Sequence, residues 1–141
     1  MSDVQAPRKK PVLRKERVET DSWGAIIVRQ FNTTARMECS AAFTPPPDPK
    51  DEQALTAALA ETELSKRARA RAEYSLFLAM VLERAVIGLE SDEPLYTAEE
   101  WDAWGVQEGE AINADVLKVT DKALAMNGYR TLSGEDVAKN A

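Results

Sequence analysis

The feature that most constrains the fold is a long stretch, residues 51–87, that contains neither proline nor glycine. Proline breaks a helix and glycine weakens one, so a stretch of this length without either residue favours helix throughout. A continuous helix from Asp51 to Leu89 would be about 58 Å long at about 1.5 Å per residue, which is too long for a compact domain of this size. We therefore expect its first half to project from the domain or to bend.

The segment before this stretch predicts a small β-hairpin. The sequence WGAIIVRQF, residues 23–31, is rich in β-branched residues and follows a plausible turn at Asp21 and Ser22. The preceding VLRKERVET, residues 12–20, fits a solvated edge strand. A two-stranded hairpin is marginal in water, so we expect a helix to cover it.

Two further helices are predicted, one on each side of the long stretch. Asn32 is a favoured N-cap for a helix over TTARMECSAAF, residues 33–43, and the prolines of residues 44–49 form a stiff connector after it. The sequence EAINADVLKVTDKALAMNG, residues 110–128, repeats apolar residues every three or four positions, and Gly128 is a helix stop.

These elements predict a mainly α (α+β) fold: a small N-terminal β-hairpin followed by three to four helices, one of them long. We expect a single, mainly helical domain over residues 12–130. A disordered basic arm, residues 1–11, precedes it, and a mobile polar tail, residues 131–141, follows it.

Composition argues against an enzyme or a metalloprotein. The chain lacks histidine, the usual general base and the commonest metal ligand near neutral pH. The single cysteine, Cys39, can form neither an internal disulfide nor a cysteine metal site, and is most simply a small apolar core residue in a reducing compartment. No apolar run approaches the ~20 residues of a membrane span. We expect no catalytic residues, metal, cofactor or membrane association.

The acidic stretch SDEPLYTAEEWDAW, residues 91–104, is best interpreted as a helix start. Thr97 and Glu100 have the spacing of a capping box, and Tyr96 and Trp101 have the spacing of a hydrophobic staple. Acidic side chains in a first helical turn also interact favourably with the helix dipole. The alternating pattern of a calcium loop is missing, so a metal site is the weaker interpretation. An acidic face that binds a partner is the remaining one, with candidate contacts at Glu93, Glu99, Glu100 and Asp102.

Charge is segregated along the chain, whose formal net charge is −6. No basic residue lies between Arg84 and Lys118, where there are nine acidic ones. Basic residues cluster in the N-terminal 17 residues and at 66–71. A solvated surface with intramolecular charge balance is the simplest explanation. Head-to-tail self-association between the basic arm and the acidic face is the alternative. Nucleic acid is a weaker candidate partner because the basic arm has no interleaved aromatic residues.

The order of these elements resembles the tail assembly chaperones of long-tailed bacteriophages. The resemblance covers residues 18–128: the strand WGAIIVRQF, the helix NTTARMECSAAF, an insert of variable length, the apolar helix YSLFLAMVLERAVI, the acidic loop ESDEPLYTAEEWDAW and the closing helix. Two features depart from the family pattern. Ala35 stands where a glutamate is frequent, and the N-terminal arm is unusually basic and carries prolines.

The resemblance implies a non-enzymatic protein that binds the tape-measure protein, keeps it soluble and helps to recruit tail-tube subunits. It also implies a homo-oligomer that acts in the host cytoplasm and is absent from the mature virion. Binding of nucleic acid is not expected. Candidate apolar contacts to the client, some of which also belong to the core, are Leu76, Phe77, Met80, Val81 and Trp104.

Two other functions stay open at this point. An acidic adaptor or inhibitor would bind a basic partner surface through residues 90–115, and salt would weaken that binding. An enzyme with an unrecognised carboxylate site would require Glu99 or Asp102 to have a raised pKa.

Overall fold

The structure, a computed structural model, describes residues 12–103 and 114–133. It confirms the expected fold class, with an N-terminal hairpin followed by helices, one of which has 23 residues. The predicted basic arm (1–11) lies outside the described residues, as does the tail beyond Ser133. In chain order the elements are β1 (Lys15–Thr20), β2 (Gly24–Arg29), α1 (Thr33–Ser40), α2 (Glu52–Ala60), α3 (Glu63–Ala85), β3 (Val86–Ile87), α4 (Ala98–Ala103) and α5 (Ala114–Met126).

The sheet has three strands in the order β1-β2-β3, and both strand pairs are antiparallel. The turn between β1 and β2 ends at Gly24, whose φ of 68° lies in the left-handed region that glycine adopts at little cost. Strand β3 was not predicted. It consists of two residues directly after α3, and it pairs Val86 with Val28 and Ile87 with Ile27. Two residues are too few to show the alternation by which a strand is recognised in sequence.

The long helical stretch is broken rather than continuous. Glu61 ends α2 with an extended backbone at ψ 131°, and Thr62 begins α3 as its N-cap, with its side chain accepting from the Ser65 amide at 3.1 Å. Thr62 therefore caps a helix within the stretch that the sequence predicts to be helical throughout. From its length this stretch is expected to project or to bend. The structure instead divides it into two separate helices, α2 and α3.

The core surrounds the second half of α3. Helix α3 contacts α1, α4 and α5, and residues of β2 belong to the same buried cluster. The largest of the fully buried side chains is that of Trp101. The predicted core position of Cys39 is confirmed, since its side chain is inaccessible. Burial raises the pKa of the Cys39 thiol above its ordinary value. Among the described residues, none of the helices combines the length and apolar character that a bilayer crossing requires.

Both predicted helix ends on α1 and α5 carry the expected caps. The Asn32 side chain accepts from the Ala35 amide at 2.8 Å, and α1 ends at Ser40, three residues before the predicted end at Phe43. At the end of α5 the amide of Tyr129 donates to the Leu124 carbonyl at 2.8 Å, with Gly128 at φ 77°. This is the bond pattern of a Schellman motif.

The packed structure continues past α5 for several residues. Tyr129 makes an edge-on contact with Phe77, with ring centroids 5.0 Å apart, and Thr131 is buried. The amide of Leu132 donates to the Asp121 carboxylate at 2.7 Å. The first residues of the segment predicted to be a mobile tail therefore pack against the domain.

Candidate partner-binding surface

The first half of α3 contributes nothing to the core. The buried residues of this helix begin at Phe77, although the helix itself begins at Glu63. An apolar residue recurs every fourth position along its exposed side, and we call this set the α3 stripe: Leu64, Ala68, Ala72, Leu76 and Met80. Leu64 is 76% exposed and Leu76 is 47% exposed. Only Met80, at the end of the stripe, packs partly against the core.

Helix α2 also carries exposed apolar residues. Its sequence EQALTAALA has six apolar residues in nine, yet none of its residues is buried. Leu59 is 86% exposed. The Asp51 side chain caps the helix by accepting from the Ala54 amide at 3.0 Å. Helix α2 is therefore capped by its own side chain, and its apolar residues are divided: Leu59 faces solvent, while Ala54, Leu55 and Ala58 are half-buried.

Two of the predicted apolar contact residues belong to the core. Phe77 is 6% exposed and stacks on Tyr74, with ring centroids 6.0 Å apart, while Phe43 lies 5.1 Å away on another side. Val81 is completely buried. Both lie on the side of α3 that faces the other elements, so a partner cannot reach them without unfolding the domain. Trp104 lies outside the described residues.

The acidic stretch forms the predicted capping box. The Glu100 amide donates to the Thr97 hydroxyl at 3.2 Å, and the Thr97 amide donates to the Glu100 carboxylate at 3.1 Å. The staple is present too, since the rings of Tyr96 and Trp101 contact each other edge-on at 5.3 Å. A further contact that the sequence did not predict strengthens this helix start: the Ala98 amide donates to the Glu83 carboxylate of α3 at 2.7 Å.

The remaining acidic candidates divide into two groups. Asp102 accepts a hydrogen bond from the Ser75 hydroxyl at 3.0 Å, so one of its carboxylate oxygens is already bonded within the domain. The side chains of Glu93 and Glu99 are exposed. Within residues 12–103 and 114–133, no three acidic or cysteine side chains are grouped so that they could hold a metal ion.

Several of the described basic groups are paired inside the molecule. Lys15 contacts Asp92 at 2.8 Å, and this hydrogen bond and charge lower the pKa of Asp92. Arg69 contacts Glu61 at 2.7 Å across the break between α2 and α3. At these two places the intramolecular charge balance is confirmed. The Lys15 contact also occupies one carboxylate of the acidic face that the head-to-tail hypothesis would use.

Sequence reasoning missed a buried polar residue with several hydrogen bonds, Asn127. Its side-chain oxygen accepts from the Phe31 amide at 2.9 Å, and its side-chain nitrogen donates to the carbonyls of Arg29 at 3.1 Å and Ala123 at 2.9 Å. Arg36 donates to the Asn127 carbonyl. The only local signal was an asparagine before the helix-stopping glycine, which indicates a helix end but not a link between three elements.

Comparisons with models of known protein families, with curated proteins and with solved structures give no match to this chain. The function of the exposed surface is therefore inferred from its residues and from the resemblance described above.

Proposed function

We propose that this chain is a non-enzymatic tail assembly chaperone of a long-tailed bacteriophage, which binds the tape-measure protein and keeps it soluble. The observation that carries the proposal is the α3 stripe, together with Leu59 on α2, which is exposed among the residues that the structure describes. A contiguous row of exposed apolar residues usually marks an interaction site in a protein that is otherwise well packed. The proposal extends to recruitment of tail-tube subunits, action in the host cytoplasm and absence from the mature virion.

The geometry of the α3 stripe fits a helical client. From Leu64 to Met80 it rises about 24 Å along the helix at about 1.5 Å per residue, and because residues four apart are rotated by about 40°, the row is inclined to the helix axis. Residues spaced by four form one of the ridges that pack into the grooves of a neighbouring helix. Ala68 and Ala72 at the centre are small, so the client backbone can approach closely. An amphipathic helix of a tape-measure protein would bury its apolar face there.

The charges of the chain support the solubilising part of the proposal. The net charge of −6 gives a complex with an apolar client a repulsive surface, which opposes aggregation. Glu93 and Glu99 are exposed on the segment after β3, away from the α3 stripe in sequence. The apolar contacts would hold the client while the acidic side chains stay in solvent.

The test is co-expression with the tape-measure protein of the same phage. We expect the chain to raise the soluble yield of the client and to co-elute with it on size exclusion. The double variant Leu64→Gln/Leu76→Gln should lose both effects while its free energy of unfolding stays within about 0.5 kcal/mol of the wild type, because both side chains are exposed.

Leu89→Gln is the matched control, since Leu89 is 45% exposed, nearly the same fraction as Leu76, but lies outside α3. It should rescue the client like the wild type. Failure of the wild-type chain to rescue or to co-elute would overturn the chaperone proposal. Salt-sensitive binding that Glu93→Gln/Glu99→Gln abolishes, with the α3 stripe irrelevant, would favour the acidic adaptor or inhibitor instead.

A further inference from the structure

One edge of the sheet is open along β1. In the order β1-β2-β3, β1 has a strand neighbour on one side only within the described residues. The Gln30 amide donates to the Arg14 carbonyl at 2.8 Å, and hydrogen-bonded pairs alternate along an antiparallel ladder. The backbone N–H and C=O groups of Lys15, Arg17 and Glu19 therefore point away from β2.

Two observations agree with this orientation. The Lys118 ammonium group of α5 donates to the Glu19 carbonyl at 2.7 Å, which requires that carbonyl to face outward. A cavity of about 410 Å³ also opens at this edge, between Arg17, Val18 and Glu19 on β1 and the side chains of Lys118 and neighbouring residues on α5. Among the described residues the edge is thus open beside Arg17 and Val18, while Lys118 occupies the Glu19 carbonyl. An exposed edge of this kind is a template for pairing with another strand.

The charges along β1 identify which strand would fit. Lys15 and Arg17 precede Val18, and Glu19 and Asp21 follow it at the same spacing with opposite sign. If two copies of β1 pair antiparallel with Val18 opposite Val18, each Arg17 stands opposite a Glu19, while Lys15 stays with Asp92 of its own chain and Asp21 lies in the turn beyond β1. The two-fold symmetry makes the contact between Arg17 and Glu19 twice. In this register Arg17 and Glu19 occupy hydrogen-bonded positions, which are the positions whose backbone groups point outward.

We infer that two copies of this chain associate through antiparallel pairing of β1, centred on Val18, to form one continuous six-stranded sheet. Such an interface is isologous and closed, so it stops at the dimer. The Glu19 carbonyl, which accepts from Lys118 in the free chain, would accept from the second copy's Arg17 amide. This interface is distinct from the head-to-tail contact considered from the sequence, and it does not depend on the proposed chaperone function.

The experiment is sedimentation equilibrium on the full chain over roughly 1–500 µM, a range suited to a small strand-to-strand interface. We expect a concentration-dependent monomer–dimer equilibrium. Arg17→Glu places a carboxylate opposite Glu19, and Glu19→Arg places a guanidinium opposite Arg17. Each variant alone should weaken the dimer by about tenfold or more, because symmetry turns two attractive cross-strand pairs into repulsive ones.

The same two variants give a test that a folding defect could not imitate. An equimolar mixture of Arg17→Glu and Glu19→Arg chains should dimerise again, because each copy then supplies the charge that the other needs. The double variant Arg17→Glu/Glu19→Arg should dimerise as the wild type does. Lys66→Glu, a charge reversal of the same size on α3, should leave the equilibrium unchanged.

Three results would overturn the inference. The first is a wild-type chain that stays monomeric over the whole concentration range. Slow hydrogen exchange of the Arg17 and Glu19 amides in that monomer would show that another part of the same chain covers the edge. The second is a dimer that neither single variant weakens. The third is a dimer that Lys66→Glu weakens as strongly as Arg17→Glu does.

Discussion

A single buried amide side chain, that of Asn127, links β2, the segment after it and α5. It is 3% exposed, and it satisfies backbone groups of β2, of Phe31 two residues after β2, and of α5. Its position directly before Gly128 places it at the point where α5 ends and the chain turns back. Buried backbone groups that lose their only partner are costly, because water cannot replace it.

Asn127→Ala should therefore lower the free energy of unfolding by about 2–4 kcal/mol, since the Phe31 amide and the Arg29 carbonyl lose a buried partner together. Urea unfolding followed by tryptophan fluorescence measures the change. Gln53→Ala, an exchange at an exposed position of α2, is the control and should change it by less than about 0.5 kcal/mol. A loss below about 1 kcal/mol for Asn127→Ala would mean that water or a neighbouring group replaces the amide.

Among the helices within the described residues, α2 makes the fewest contacts with the core, because none of its side chains is buried. It has nine residues, no buried side chain and a break immediately after it. A helix of this length is marginal in water, because nucleation costs more than a few hydrogen bonds return. The second half of α3, by contrast, is surrounded by core residues.

We expect the amides of α2 to exchange with solvent deuterium at least about 100-fold faster than those of residues 77–85 in the same molecule. Hydrogen exchange with mass spectrometry on the isolated chain measures both segments in one experiment. Equal protection of the two segments would show that α2 is packed against something in solution. Slowing of α2 exchange on addition of the client, with the 77–85 segment unchanged, would locate the client on this helix.

The elements that the sequence predicts well are those whose signals are local. Asn32 and Thr97 cap helices through bonds to amides three residues away, so the sequence contains both partners of each bond. Strand β3 depends on β2, which is far away in sequence, and two residues carry no pattern of their own. The break at Thr62 has no proline or glycine to indicate it, because a threonine cap and a continuous helix are both compatible with that local sequence.

The candidate surface was predictable only in part for a related reason. Between Tyr74 and Leu82 almost every residue is apolar, so periodicity cannot separate Leu76 and Met80 from the buried Phe77 and Val81. That separation is made by the packing of α3 against the other elements. The spacing of the α3 stripe is visible in the sequence. The exposure of Leu64 is not, because it depends on the first half of α3 lying outside the core.

For the whole molecule, the pH dependence of stability follows from carboxylates whose pKa is lowered by folding. The pKa of Glu16 is lowered mainly by the Lys122 ammonium group, whose nitrogen lies 2.6 Å from the carboxylate oxygen. The pKa of Asp92 is lowered by Lys15, and that of Asp115 by Ser22. A lowered folded-state pKa contributes stability above the unfolded-state pKa, and that stability is lost as the pH falls through the folded-state pKa.

We therefore expect a flat melting temperature between about pH 6 and 8, since the chain has no histidine, and a decline below about pH 4.5. Calorimetry from pH 3 to 8 measures the profile. Glu16→Gln should lower the melting temperature near neutrality and make the acid decline shallower, because it removes one of the groups responsible. A transition centred between pH 6 and 7 would contradict this assignment of the titrating groups.

The burial of Cys39 has a practical consequence for all of these experiments. As the chain's only thiol, and an inaccessible one, it can react with an alkylating reagent only when the contact between α1 and the core opens. The fraction alkylated over time, read as a mass increase on the intact chain, reports how often that opening occurs. The measurement needs no denaturant and no engineered reporter group. The same alkylation rate can therefore be measured in a crude extract or in a complex with another protein. The chain thus carries its own probe of the folded state.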